Sequence, residues 1–268
     1  MAEYKTLVFE EKDSVAWIRM NRPENFNALN LPMARELCEA TAHCATEKRI
    51  RAVVLTGTGR AFCAGGDVKD MSKHLKETGR ADLFLRDLSL HLHSFVAEVV
   101  RMPKPVIAAV NGIAAGAGFS MSLACDMSLA VQGVSFVMAY TGIGLVPDGS
   151  STYFLSRLVG PKKAMEIVYL NEPISADEAL RLGIVNHVYR AEDFEKSVSS
   201  VALRLAQGPT ETYGRAKRLL RLGLIETLES QMENERQGIA MSALFGEFRE
   251  GVTAFVEKRK ADFRSPSI

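Results

Sequence analysis

Ala61-Phe62-Cys63-Ala64-Gly65-Gly66-Asp67 and Asn111-Gly112-Ile113-Ala114-Ala115-Gly116-Ala117-Gly118 are two glycine-rich stretches, each preceded by an apolar run that reads as a strand. Small residues at such points let peptide N–H groups approach a ligand atom, and two N–H groups converging on one oxygen form an oxyanion hole. Glycine also marks tight turns and close packing, which is the ordinary alternative for either stretch alone.

Working outward, Ala52 to Thr56 and Val106 to Val110 are compact β-branched runs suited to buried strands. Leu7 to Glu10 and Val15 to Met20 flank a polar Lys12-Asp13 turn and read as a hairpin. Asn30 is placed to cap a helix with Pro32 in its first turn, continuing to about Lys48. Phe84, Leu88, Leu92, Phe95 and Val99 recur at helical spacing, predicting an amphipathic helix from about Asp82 to Arg101. Ser175 and Glu178 form a capping-box pattern, with Gly183 closing that helix before a strand from Ile184 to Tyr189. This alternation implies an α/β core. After Gly208-Pro209 the pattern is helical to the end, dividing the chain into a core, 1–207, and a C-terminal helical region, 208–268.

The chain has 268 residues, enough for a sizeable core, and a formal net charge of +1, which offers no electrostatic case for nucleic acid or an anionic membrane surface. Cys38, Cys44, Cys63 and Cys125 show no C-x-x-C pairing and read as packed, reduced thiols, so a reducing compartment is expected. Met1 to Phe9 has no apolar or arginine-rich leader pattern, and no apolar run is long enough to span a bilayer. A cytoplasmic, soluble protein is expected.

Dinucleotide and P-loop fingerprints are missing, which argues against redox cofactors and ATP. Gly118-Phe119-Ser120-Met121-Ser122 lacks the final glycine of a nucleophile elbow. His91 and His93, at i and i+2, project from different sides of the predicted helix and lack metal-site spacing, so they read as surface or packing histidines.

Both glycine stretches, together with Asn21-Arg22-Pro23, Val146-Pro147-Asp148-Gly149 and Ala254-Phe255-Val256-Glu257-Lys258-Arg259-Lys260, resemble the crotonase, or enoyl-CoA hydratase/isomerase, family across nearly the whole chain. The resemblance implies a spiral of ββα units and C-terminal helices that pack against neighbouring subunits in trimers or pairs of trimers. It implies oxyanion donors at the N–H groups of Gly66 and Ala117, the latter at the start of a helix near Gly118, where the helix dipole favours negative charge. It also implies contacts to CoA from Ala64, Asp67, Phe255 and Lys258, the last two reaching CoA bound mainly by a neighbour. CoA is then part of the substrate, with no separate cofactor and no metal.

Family members that hydrate 2-enoyl-CoA carry glutamates at the positions matched by Ser120 and Tyr140, and both carboxylates are missing here. A serine hydroxyl without an activating partner and an unperturbed tyrosine are poor bases near neutral pH. Asp148 matches the single Glu or Asp of members that shift a double bond. One base suffices for that reaction, and neighbouring Leu145 and Val146 are expected to desolvate Asp148 and raise its pKa. The alternative for Asp148 is a cap on a helix starting near Gly149. Other members use an aspartate near here in aryl-CoA dehalogenation, with a tryptophan and a histidine in the pocket, but the only tryptophan is Trp17 in the early hairpin. The expectation is an enoyl-CoA isomerase, with a 2-enoyl-CoA hydratase and a non-catalytic acyl-CoA-binding protein as alternatives.

Overall fold

A computed structural model describes residues 4–264, so Met1 to Glu3 of the N-terminal stretch discussed above lie outside it. The chain opens with the antiparallel hairpin β1 (Leu7–Lys12) and β2 (Val15–Met20). Its turn falls one residue later than expected, at Asp13-Ser14, because both of these polar residues adopt the left-handed conformation that matches the strand twist. Helix α1 (Leu31–Thr46) is capped by Asn30, which accepts from the Met33 N–H at 3.0 Å. The helix stops short of Lys48 because Glu47 is extended, and Lys104 Nζ takes up the carbonyls of Cys44 and Glu47.

Then follow β3 (Ala52–Gly57), β4 (Ala61–Cys63), α2 (Val68–Thr78), α3 (Asp82–Arg101), β5 (Val106–Val110), β6 (Ile113–Ala115), α4 (Ala117–Ala124), β7 (Met127–Val131) and β8 (Ser135–Val137). In each of the pairs β3/β4, β5/β6 and β7/β8 the first strand joins one sheet and the second joins another. The larger sheet has the order β1-β2-β3-β5-β7 and is completed by β10 (His187–Tyr189); the smaller is β4-β6-β8 with β9 (Ile174–Ser175) at its edge. Helices follow each pair, so the core is a spiral of ββα units.

Strands β3 and β5 are buried along their whole length because both sheet faces are covered. Val53, Leu55, Val106, Ala108 and Val110 face the main core with α1 and α3. The alternate residues Ala52, Val54, Ile107 and Ala109 face a second core. Helix α3 buries Leu88, Leu92, Phe95, Val96 and Val99, and full burial of each large side chain is worth about 1.5–3 kcal/mol. Its first expected core residue, Phe84, is only partly buried and stacks on His74 at 4.3 Å.

The remaining helices are α5 (Ser151–Val159), α6 (Pro161–Leu170), α7 (Ala176–Arg181), α8 (Ala191–Ala206), α9 (Thr210–Leu222), α10 (Leu228–Ser242) and α11 (Gly246–Val256). Helix α8 supplies Val198, Ala202 and Ala206 to the second core. Ser175 caps α7 through the Glu178 N–H, but the Glu178 carboxylate turns to Arg181, so only half of the capping box forms. The strand expected from Ile184 begins only at His187. Ile184 and Val185 instead donate their N–H groups back to Ala179 O, which removes them from the ladder. Buried Glu247 of α11 accepts from the N–H groups of Glu211 and Thr212, capping α9 across the chain. No described helix is long and apolar enough to cross a membrane.

Candidate active site

Strands β4 and β6 are parallel neighbours, with Ala61 opposite Ile113 and Cys63 opposite Ala114. The chain leaves both strands through glycine, so Gly65-Gly66 and Gly116-Ala117 emerge side by side. Gly65 has φ +102° and Gly116 has φ +48°, and a Cβ on Gly116 would stand 3.5 Å from the Gly65 Cα. The positive φ at both positions favours glycine, and a Cβ on Gly65 would also stand 3.2 Å from the Ala115 carbonyl oxygen. Gly118 lets the first turn of α4 press on β4, since a Cβ there would lie 2.1 Å from the Cys63 carbonyl oxygen.

Within this arrangement the N–H groups of Gly66 and Ala117 have no acceptor among the described residues, although Asp67 N and Gly116 N are both engaged. Ala117 is the first residue of α4, so its N–H also lies at the positive end of the helix dipole. Both residues line a cavity of about 490 Å³, whose apolar wall includes Leu29, Met71, Leu88, Leu92 and Leu145. Two free donors in an apolar cavity are equipped to stabilise a developing oxyanion, each typically worth about 2.7–4 kcal/mol.

Asp148 lines the same cavity from the loop before α5. Its main chain is fixed: the carbonyl accepts from Ser120 Oγ and Ser151 Oγ, both at 2.8 Å. Its carboxylate is held separately by α3, with Ser89 Oγ donating to Oδ2 at 2.8 Å and His93 Nε2 lying 2.5 Å from Oδ1. The expectation that Leu145 and Val146 enclose the carboxylate is not met, because Val146 is 81% exposed and the carboxylate is surrounded by polar partners. Nor does the Asp148 side chain cap α5, where the Ser151 N–H is taken by the Asp148 carbonyl. His93, read from sequence as a packing or surface residue, is the partner of Asp148, whereas His91 stands near Asp87 and Arg35. Ser89 and His93 share one helix face at i and i+4, a spacing visible in the sequence, but their partner is 55 residues from His93 and nothing local announces it. The three side chains are not a serine-hydrolase relay. Ser89 and Asp148 both approach His93 Nε2, whereas a relay needs opposite ring nitrogens.

Ser120 and Tyr140 are tied to each other. Tyr140 Oη lies 3.0 Å from Ser120 Oγ, so Tyr140 donating to Ser120 and Ser120 to the Asp148 carbonyl makes a chain of hydroxyls onto the Asp148 loop. Burial pushes the Tyr140 phenol above its ordinary range, the Ser120 hydrogen bond opposing this in part, so it is a donor and not a base at neutral pH. Ser120 is fully buried and does not line the cavity, whereas Tyr140 does.

Of the residues expected to contact CoA, Ala64 lines the cavity. Asp67 is engaged elsewhere: it caps α2 through the N–H groups of Lys69 and Asp70 and pairs with Arg22 at 2.9 Å. Phe255 and Lys258, at the far end of α11, lie outside the cavity lining, and Phe255 is 85% exposed. Trp17 packs on the second core, away from the cavity. All four cysteines are free thiols, and burial pushes Cys63 up to about 12, which leaves it unreactive beside the hole. Among the described residues no group of three or more His, Cys, Asp or Glu side chains is arranged to hold a metal.

Residues 10–266 match the family model for enoyl-CoA hydratase/isomerase, and the chain belongs to that family. Among curated relatives, a probable enoyl-CoA hydratase of Rhodobacter capsulatus is 38% identical, with 97% of this chain and 98% of that protein covered. 4-Chlorobenzoyl coenzyme A dehalogenase-2 of an Arthrobacter species is 35% identical, with 97% and 92% covered. 1,2-Epoxyphenylacetyl-CoA isomerase of Escherichia coli is 34% identical, with 93% and 94% covered. Among solved structures, an enoyl-CoA hydratase from Polaromonas sp. JS666 superimposes with a TM-score of 0.90 at 32% identity, covering 96% of this chain and 98% of that one.

Proposed function

We propose that this protein shifts a carbon–carbon double bond in an enoyl-CoA thioester. The observation that carries this reading is that Asp148, clamped by α3, faces the same cavity as the two free N–H donors, while Ser120 and Tyr140 offer no second carboxylate. The thioester oxygen sits between the N–H groups of Gly66 and Ala117. Asp148 takes a proton from the α-carbon, the C–H electron pair passes into a dienolate whose charge rests on that oxygen, and Asp148 returns the proton at the γ-carbon. CoA enters only as part of the substrate.

Purified protein should convert 3-enoyl-CoA to 2-enoyl-CoA, and Asp148→Asn should lower that turnover by about 10²- to 10⁴-fold while acyl-CoA binding persists. Parental turnover by folded Asp148→Asn would exclude the mechanism. Hydration of 2-enoyl-CoA that is lost on altering Ser120 or Tyr140 would favour a hydratase, and tight binding without turnover a binding protein.

His93 against Asp148, together with the dehalogenase relative, supports a second reading. In it the Asp148 carboxylate displaces halide from the ring of an aryl-CoA, and water deprotonated by His93 cleaves the resulting aryl ester. The only tryptophan, Trp17, packs on the second core away from the cavity, which places this reading second. Halide release from 4-chlorobenzoyl-CoA, with label from H₂¹⁸O entering Asp148 in a single turnover, would reverse the order.

The exposed apolar residues of α9 to α11 support assembly into a trimer or a pair of trimers, with Phe255 and Lys258 reaching a neighbour's CoA.

A further inference from the structure

We propose that Ser89 and His93 are positioning residues which hold the Asp148 carboxylate in the single plane from which it can reach two carbons in turn; this rests on the double-bond-shift reading. The main chain of Asp148 is fixed by Ser120 and Ser151, which sets where its Cα stands but not where its carboxylate points. Rotation about the terminal bond of an aspartate is soft, so a fixed loop alone leaves the oxygens free to turn.

Helix α3 removes that freedom. Ser89 and His93 lie one turn apart on it, and each engages a different oxygen, Oδ2 at 2.8 Å and Oδ1 at 2.5 Å. Leu88 and Leu92, beside them in sequence, are buried in the main core, so the helix carrying the two partners is anchored. Two contacts on two oxygens fix a plane, where one contact would fix only an axis. Each oxygen keeps a further lone pair, so a clamped carboxylate can still accept a proton. Ser89 and Asp148 line the cavity, whereas the exposed His93 reaches the carboxylate from outside its lining, so the clamp closes on Asp148 from the cavity wall and from the solvent side.

A carboxylate that exchanges an α-proton with solvent has to meet one carbon. One that moves a double bond has to meet that carbon and then another two bonds away, without losing the proton between. Loss of the clamp therefore harms the complete shift more than the first abstraction. This separates positioning from simple structural support, which would depress both steps together.

The test uses Ser89→Ala, His93→Leu and the double variant, with His93→Gln as the conservative replacement because its amide nitrogen can reach Oδ1. Folding is checked by circular dichroism, and kcat and KM are measured for 3-enoyl-CoA alongside α-proton exchange in D₂O. Each single variant should lose about tenfold in kcat, with KM changing less than about threefold, as expected for losing one charge-assisted hydrogen bond. The ratio of exchange to isomerisation should rise, and His93→Gln should recover most of the loss. Parental kcat in the folded double variant, or an unchanged ratio with Gln no better than Leu, would overturn the clamp. Measured beside them, Asp148→Asn separates the two failures. If it is inactive while the double variant is parental, only the clamp fails. If it is fully active, or if the parent does not isomerise, the Asp148 mechanism fails and the clamp with it.

Discussion

Ser120 and Tyr140 put two linked hydroxyls behind the Asp148 loop. The buried serine hydroxyl that bonds the Asp148 carbonyl and meets the Tyr140 phenol steadies the loop carrying the Asp148 carboxylate. Because burial raises the Tyr140 pKa above that of an ordinary phenol, the folded protein retains a proton there that the unfolded chain gives up. The sign follows from linkage: this stabilisation is fully present below about pH 10 and is lost as the pH rises through the folded value. Tyr140→Phe should therefore weaken the alkaline fall in stability, measured by urea denaturation between neutral and strongly alkaline pH. An identical fall in both proteins would contradict the assignment. At the hole the donors are main-chain groups, so Gly66→Pro should abolish turnover, whereas Cys63→Ser should leave much of it, the thiol being buried and protonated. Parental turnover by a folded proline variant that binds acyl-CoA would remove Gly66 from the mechanism.

At the scale of elements, the site exists because β4 and β6 are paired and α4 starts immediately after β6. Gly118 is where helix and strand meet most tightly. Gly118→Ala would put a methyl group 2.1 Å from the Cys63 carbonyl, so the helix start has to move, at a cost of about 1–3 kcal/mol. That displacement carries the Ala117 N–H with it, so turnover should fall along with the melting temperature. Gly223→Ala is the control: φ is −59° and the nearest neighbours of a Cβ stand at 3.5 Å, an ordinary contact. If the two variants melted and turned over alike, the tight junction would have no part in placing the donor.

In the whole molecule, one side of the C-terminal region is committed to the core and the other is not. Glu247 stands 3.9 Å from Arg51 and Lys217 reaches the Val99 carbonyl and Asp126, so α11 and α9 are tied inward. Leu220, Leu224, Ile225, Leu228, Ile239 and Leu244 remain exposed, more apolar surface than a monomer ordinarily leaves open. Sedimentation at low micromolar concentration should find an oligomer. A stable, active monomer would contradict both the assembly and a CoA site shared through Phe255 and Lys258.

Much of the fold could be read locally. Asn30, the limits of β5 and α3, and the hairpin were each visible in sequence because a cap, a breaker or a periodicity acts within a few residues. The two glycine stretches likewise announced backbone needed at close quarters, since no other residue fits Gly65 or Gly116 without strain. The environment of Asp148 could not be read in this way: apolar neighbours in sequence suggested enclosure, yet Val146 turns to solvent and α3 brings Ser89 and His93 to the carboxylate. Ser120 and Tyr140 likewise find each other across 20 residues, through the packing of α4 on the loop after β8. The sequence by itself determined the hairpin, β3, β5, α3, the start of α1 and the glycines that bring two backbone loops to close quarters, because those depend on short-range sterics and hydrogen bonding. Only the tertiary structure decided which side chains surround the carboxylate, because that depends on which helix face the packed core turns toward the cavity.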